Sequence, residues 1–158
     1  MKTWYSCKVK SNKEGEDGIM KQVTEAFLVD SVTYTDAETR INEIAERDIH
    51  GEFQVTNITK TNIGEVIPDE EHFTWFKCKV VYVTVDADSE KEMKINTYLL
   101  VAAEHIKQAF EKIESHFQGT MIPYEVPSIT RTQIVEVYPY VADEIPANFK
   151  PISELEKA

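Results

Sequence analysis

Hydrophobic and polar residues alternate with a period of two at the start of the chain, and the same alternation begins again near its middle. From Trp4 to Lys10, one side carries Tyr5, Cys7 and Val9 and the other carries Trp4, Ser6, Lys8 and Lys10. This predicts a strand whose first set faces a core. The polar, glycine-bearing segment 11–18 predicts a hairpin connection, and a second strand over about 20–31 turns Val23, Phe27 and Val29 inward. The period then becomes helical. Ala37, Ile41, Ile44, Ala45 and Ile49 recur on one side, after a start at Tyr34 or Thr35 with acids in the first turn, and Gly51 ends the run. An extended stretch over 52–67 carries Phe53, Val55, Ile58, Ile63 and Val66. Its alternation breaks near Asn57 and Ile58, which predicts a bulge or bend between two short strands.

The second half repeats this grammar. A strand over 75–85 places Phe76, Cys78, Val80 and Tyr82 inward, and a turn over 86–90 leads to a strand over 93–102. In that strand Ile95, Leu99 and Val101 point inward, Tyr98 and Leu100 outward. A helix from about Ala103 to Phe117 follows, with Ile106, Ala109, Phe110, Ile113 and Phe117 as its apolar stripe, and Gly119 closes it.

The two halves also share residues. Trp4-Tyr5-Ser6-Cys7-Lys8-Val9 is answered 71 positions on by Trp75-Phe76-Lys77-Cys78-Lys79-Val80, and the segment from Ile58 to Pro68 by that from Ile129 to Pro139. Such ordered matches imply an internal duplication. The fold class expected is α+β: duplicated β-β-α-β units related by a pseudo-two-fold axis, each an antiparallel arrangement with one helix on its face. The repeats span 1–70 and 71–143, with a tail over 144–158. Two closely packed lobes are favoured over one continuous sheet, because the linker from Pro68 is short and lacks a flexible composition.

Composition narrows the function classes. The chain has 158 residues, 42% of them hydrophobic, which suits a globular protein. No apolar run approaches the roughly 20 residues of a membrane span, and the N-terminal residues lack the apolar core of a signal peptide, so a cytoplasmic protein without a membrane partner is expected. The net charge of −11, from 17 basic and 28 acidic residues, disfavours nucleic acid at long range and suits a basic protein partner.

Catalytic vocabulary is sparse. Cys7 and Cys78 sit on the inward faces and read as core residues. His50, His72, His105 and His116 are scattered, and the last two, on one helix, lie roughly 16 Å apart by helix rise, too far to share a metal. There is neither a Gly-x-Ser-x-Gly elbow nor a glycine-rich phosphate loop. No catalytic residue, metal site or cofactor is expected, and the chain reads as a non-enzyme.

One surface invites a functional reading. Trp4 and Lys8 recur as Trp75 and Lys79 on the outward strand faces, Lys10 and Lys77 add charge, and Lys60 and Arg131 in the repeated Thr-Lys/Arg-Thr segments extend it. Aromatics interleaved with lysine on a sheet can stack bases and follow a phosphate backbone. The plainer reading is that the tryptophans pack internally and the lysines protect edge strands from aggregation.

With these motifs in view, the chain resembles a domain-of-unknown-function family of Bacteroides-type bacteria and their phages and mobile elements. The resemblance rests on the Trp-Tyr-x-Cys-Lys-Val opening, the segments Val23 to Asp30 and Thr35 to Ile41, Gly51-Glu52-Phe53, and Trp75 to Val80, and covers roughly residues 4–140. It implies a small accessory protein of phage or prophage context and carries over no activity and no site residues. The expected function is therefore a cytoplasmic, non-enzymatic protein-interaction module. The alternative is a nucleic-acid-associated protein that uses Trp4, Lys8, Lys10, Trp75, Lys77, Lys79, Lys60 and Arg131.

Overall fold

The first hairpin forms as the alternation predicts. In a computed structural model, which describes residues 3–71 and 74–139, β1 (Thr3–Glu14) pairs antiparallel with β2 (Met20–Ser31), in unbroken register from Thr3 opposite Ser31 to Glu14 opposite Met20. The helix α1 (Tyr34–Asp48) and the strands β3 (Phe53–Lys60) and β4 (Glu65–Ile67) follow. The second half runs β5 (Thr74–Val85), β6 (Glu92–Ala103), α2 (Ile106–His116), β7 (Tyr124–Arg131) and β8 (Ile134–Tyr138). The tail over 144–158 and His72 lie outside the described residues.

The fold is α+β, with two separate mixed sheets of four strands rather than one continuous sheet. The first has the order β3-β1-β2-β8 and the second β4-β6-β5-β7. The antiparallel expectation needs correction here, because β4 runs parallel to β6. The final strand in each half leaves its own hairpin: β4 follows β3 in the chain yet joins the sheet of β5 and β6, while β8 follows β7 yet joins β2. The chain accordingly divides into two compact units whose described parts are residues 3–59 with 136–139, and 60–71 with 74–135. These limits differ from the expected repeats by the strand exchanged at each end.

Each unit has its own core. In the first, Tyr5, Cys7 and Val9 of β1 and Phe27 and Val29 of β2 pack against Ala37, Ile41 and Ile44 of α1. In the second, Phe76, Cys78 and Val80 of β5 and Leu99, Val101 and Ala103 of β6 pack against Ala109 and Ile113 of α2. Ile41 and Ile113 are fully buried, and each such side chain contributes about 1.5–3 kcal/mol by leaving water. Ile106 and Phe110, expected within the stripe of α2, are instead exposed. The helix residues buried against the sheet are Ala109 and Ile113, with Phe117 partly buried beside them.

Helix limits follow from caps. Thr33, one residue before the expected start, accepts a hydrogen bond from the Asp36 backbone N–H at 3.0 Å, while Asp36 reaches back to the Val32 N–H. His105 Nδ1 does the same for the Gln108 N–H at 3.1 Å, and Gln108 accepts from the Glu104 N–H. These reciprocal bonds satisfy backbone donors that have no partner within the helix. The start of α2 therefore moves from Ala103 to Ile106, because β6 continues through Ala103. Gly51 and Gly119, with φ of 95° and 92°, follow the two helices in the left-handed region.

The third strand of each half carries two consecutive exposed residues in mid-strand. In β7 the register shifts between Lys79 and Val81 of β5, so that Val126 and Pro127 together oppose Val80. Proline has no N–H to give to a ladder and is tolerated at such a bulge on an edge strand. The bulge keeps Tyr124 and Ile129 on one face despite their odd spacing. In β3 the exposed pair is Thr56 and Asn57, where the alternation of the sequence breaks. The strand nevertheless continues to Lys60, and the division into two strands comes later, over 61–64.

Candidate functional site

The strand faces proposed from sequence are only partly assembled. In the first unit Trp4, Lys8 and Lys10 share the face of β1 opposite Tyr5, Cys7 and Val9; Lys8 is exposed and the other two are partly buried. Lys10 borders a polar groove with Asn12, Gln22 and Gln54. In the second unit Trp75, Lys77 and Lys79 share the corresponding face of β5, but Trp75 is only 9% exposed. Its carbonyl accepts hydrogen bonds from the N–H and hydroxyl of Thr132. Leu100, across from Lys77 and expected outward, is fully buried on that same face. Lys77 Nζ lies 4.9 Å from the centre of the Tyr98 ring, engaged with its own sheet.

Lys60 and Arg131 do not extend these faces. Arg131 stands opposite Phe76 in the β5–β7 register and so shares the core-facing side, since directly opposed residues point the same way. Lys60 lies two residues beyond Ile58, which packs on the first core, and alternation gives it that side as well. At 9% exposure most of the Trp75 surface is covered within the structure, which leaves little ring surface for a base.

A different site emerges where α2 stops. Strand β6, with 12 residues, spans about 40 Å, whereas the 11 residues of α2 span about 16 Å. The core-facing side of the sheet therefore continues past the helix end, and a cleft of about 260 Å³ opens there. Leu99 and Thr97 of β6 line it together with Tyr82 of β5. Tyr124 of β7 stands directly across from Tyr82, and Phe117, just past α2, stacks on Tyr124 with ring centres 4.7 Å apart and planes 24° apart. Thr120 and Ile122, from the segment before β7, complete the rim.

The polar side of the cleft comes from the exchanged strand. Glu65 opens β4, and its Oε2 lies 3.3 Å from His116 Nε2 at the last turn of α2. Neighbouring Gly64 anchors this strand start through its N–H to the Tyr98 carbonyl at 2.8 Å. On the corresponding side of the first unit, the sheet carries Ser11 and the ion pair Lys13–Glu25 instead of tyrosines. The helix there has 15 residues, about one turn more than α2.

Other candidate chemistry is quiet. Cys7 and Cys78 are free thiols with no exposure, and burial pushes their pKa values up to about 12 and about 11. Each is held as an inert thiol within its core. His105 caps one end of α2, His116 stands at the other, and His50 is exposed. Among the described residues no three His, Cys, Asp or Glu side chains gather in a way that could hold a metal ion. No helix among them is long and apolar enough to cross a membrane.

The cleft was not legible as a site in the sequence. Phe117 reads there as the last member of an apolar stripe and Tyr82 as an inward strand residue. The available signal was the apolar pair Met121-Ile122 in a loop between Gly119 and Pro123, where neither strand nor helix explains it. No curated protein and no solved structure matches the chain. Residues 3–140 match the family described as Domain of unknown function (DUF4494), and the chain belongs to that family.

Proposed function

We propose that the protein is a non-enzymatic binding module that receives a partner protein at the cleft beside the end of α2. The observation that carries this reading is the partly exposed aromatic lining of Tyr82, Phe117 and Tyr124 with Ile122, 48% exposed, at the rim; Met121, next to Ile122 in the chain and outside the lining, is 94% exposed. Apolar residues standing together around a concavity mark a surface that a partner can cover. The volume lies below the roughly 300–1,000 Å³ of small-molecule sites, which favours an inserted side chain over a free ligand. The buried thiols support the non-enzymatic reading, since neither is available as a thiolate. Cytoplasmic location, an accessory role in a phage or mobile element, and descent of the two halves from one duplicated unit with pseudo-two-fold symmetry belong to the same proposal, on the strength of the sequence.

Capture from host lysate tests it, with Met121→Asp plus Ile122→Asp beside the wild type. Loss of the captured protein in this variant, with its thermal melt preserved, supports the reading. Lys8→Glu plus Lys79→Glu is the contrasting variant. Capture that survives the cleft variant but is lost in the lysine variant moves the binding surface to the strand faces and overturns the proposal. The nucleic-acid alternative predicts salt-dependent retention of single-stranded DNA or RNA. The burial of Trp75 and the charge of −11 both speak against it.

A further inference from the structure

We infer that the cleft takes a basic side chain of the partner, arginine ahead of lysine; this deepens the docking reading above and rests on it. Of the residues lining the cleft, Glu65 alone carries a formal charge when His116 is neutral. Its side chain is 54% exposed at the rim. His116 Nε2 stands 3.3 Å from Oε2, while Oε1 accepts no hydrogen bond among the described residues. An apolar side chain seated here would strip water from this carboxylate and return nothing, which is costly. An anion would be repelled. A cation meets the carboxylate and replaces the lost water.

The rings decide between cations. Tyr82 and the stacked pair Phe117 and Tyr124 line the same space, and the negative face of an aromatic ring attracts a cation. A guanidinium is planar and weakly hydrated, so it stacks on such rings while pairing with a carboxylate, whereas an ammonium is a compact and strongly hydrated point charge. The methylene stem suits the floor at Leu99, which is buried. The acidity of the whole chain, −11, draws a basic partner toward the site from a distance.

Backbone amide shifts in NMR titrations test this on the full chain, with acetyl-Gly-Arg-Gly-amide as the probe. Its lysine, leucine and citrulline counterparts serve as comparisons; citrulline keeps the shape of arginine without its charge. The arginine peptide is expected to shift the amides of Glu65, Thr97, Phe117 and Tyr124. Its affinity should fall about 5-fold in Glu65→Gln and by a similar factor in the citrulline peptide, the worth of about 1 kcal/mol of exposed ion pairing. Tyr124→Leu, which keeps the floor apolar but removes a ring, should weaken arginine more than leucine. If the leucine peptide binds as tightly as arginine and ignores Glu65→Gln, the cation inference is overturned while the docking site stands. If no peptide shifts these amides, both readings fall. Equal binding of lysine and arginine overturns the preference for arginine.

Discussion

Cys7 and Cys78 occupy the same place in their two cores, and the same cause governs both. A thiol without exposure pays for ionisation with lost hydration, and the thiolate is the reactive form. Neither cysteine should react with a disulfide-exchange reagent in native buffer at pH 8, and both should react on addition of denaturant; labelling at the rate of an unfolded peptide would contradict this burial. Asp69 behaves oppositely. The Glu71 backbone N–H, and after it the Lys112 ammonium at 2.6 Å, hold its carboxyl below the ordinary 3.8. A carboxyl lowered in the folded state stabilises the fold above its unfolded pKa and loses that contribution as pH falls through the folded one. Wild type should therefore lose stability more steeply than Asp69→Asn as pH drops below about 4, measured as denaturation midpoints between pH 6 and pH 2.5. Equal slopes would remove Asp69 from the account. The inward sets at Tyr5, Cys7, Val9 and at Phe76, Cys78, Val80 were legible because they follow from strand period alone. The burial of Trp75 was not, because alternation assigns a face without saying whether that face is covered.

Helices were read correctly in type and less well in extent. The stretch from Ala37 to Ala45 has a period that only a helix satisfies, yet the first residue of each helix is decided by capping bonds. At Thr33 the hydroxyl bond to the Asp36 N–H marks the start of α1. Thr33→Ala should lower stability by about 1 kcal/mol, the usual worth of an N-cap, seen as a reduced urea midpoint with an unchanged slope. A loss of a few tenths or less would mean that the cap is held by something else. In α2 a histidine takes this role, a choice that sequence preference for Ser, Thr, Asp or Asn does not anticipate. The end of α2 at His116 has the larger consequence, since the cleft exists because the sheet outruns the helix. The broken alternation near Ile58 was visible beforehand, while the bulge at Val126 and Pro127 needed the facing strand to define it.

At the scale of the molecule, each sheet is completed by a strand from the other half of the sequence. β8 brings Tyr138 onto the first core, beside Phe27 with ring centres 6.0 Å apart, and its hydroxyl donates to Asp48. Burial first, and then the Asp48 charge, raise the phenol to about 12. Arg40 of α1 also donates to the carbonyls of Asp30 and, at 2.9 Å, Pro139. In the other unit Lys112 of α2 bonds the Ala102 carbonyl and Asp69, which follows β4 by two residues. A chain that ends at Gln133 lacks β8, and hydrogen exchange should quicken in β2 while β5 and β6 keep their protection. Equal loosening of both hairpins, or none, would show that β8 is not what completes the first sheet.

The sequence by itself determined the type of most segments and the inward sets of β1, β2 and β5, while the fifth element of each half, the exposure of Ile106 and Phe110 and the burial of Leu100 lay beyond it. Segment type and inward sets come from local periodicity, with each residue constrained by neighbours two to four positions away. The partner of each final strand was decided only by tertiary structure. Both hairpins present similar apolar faces, so the local period of β4 or β8 does not select between them, and contacts such as Tyr138 with Phe27 and Asp48 form only in the docked strand. The cleft belongs to the same class of fact: Glu65 meets His116 and shares a cleft with the tyrosines because β4 joins the second sheet. Its charged rim was settled by that exchange, and its depth by where α2 stops.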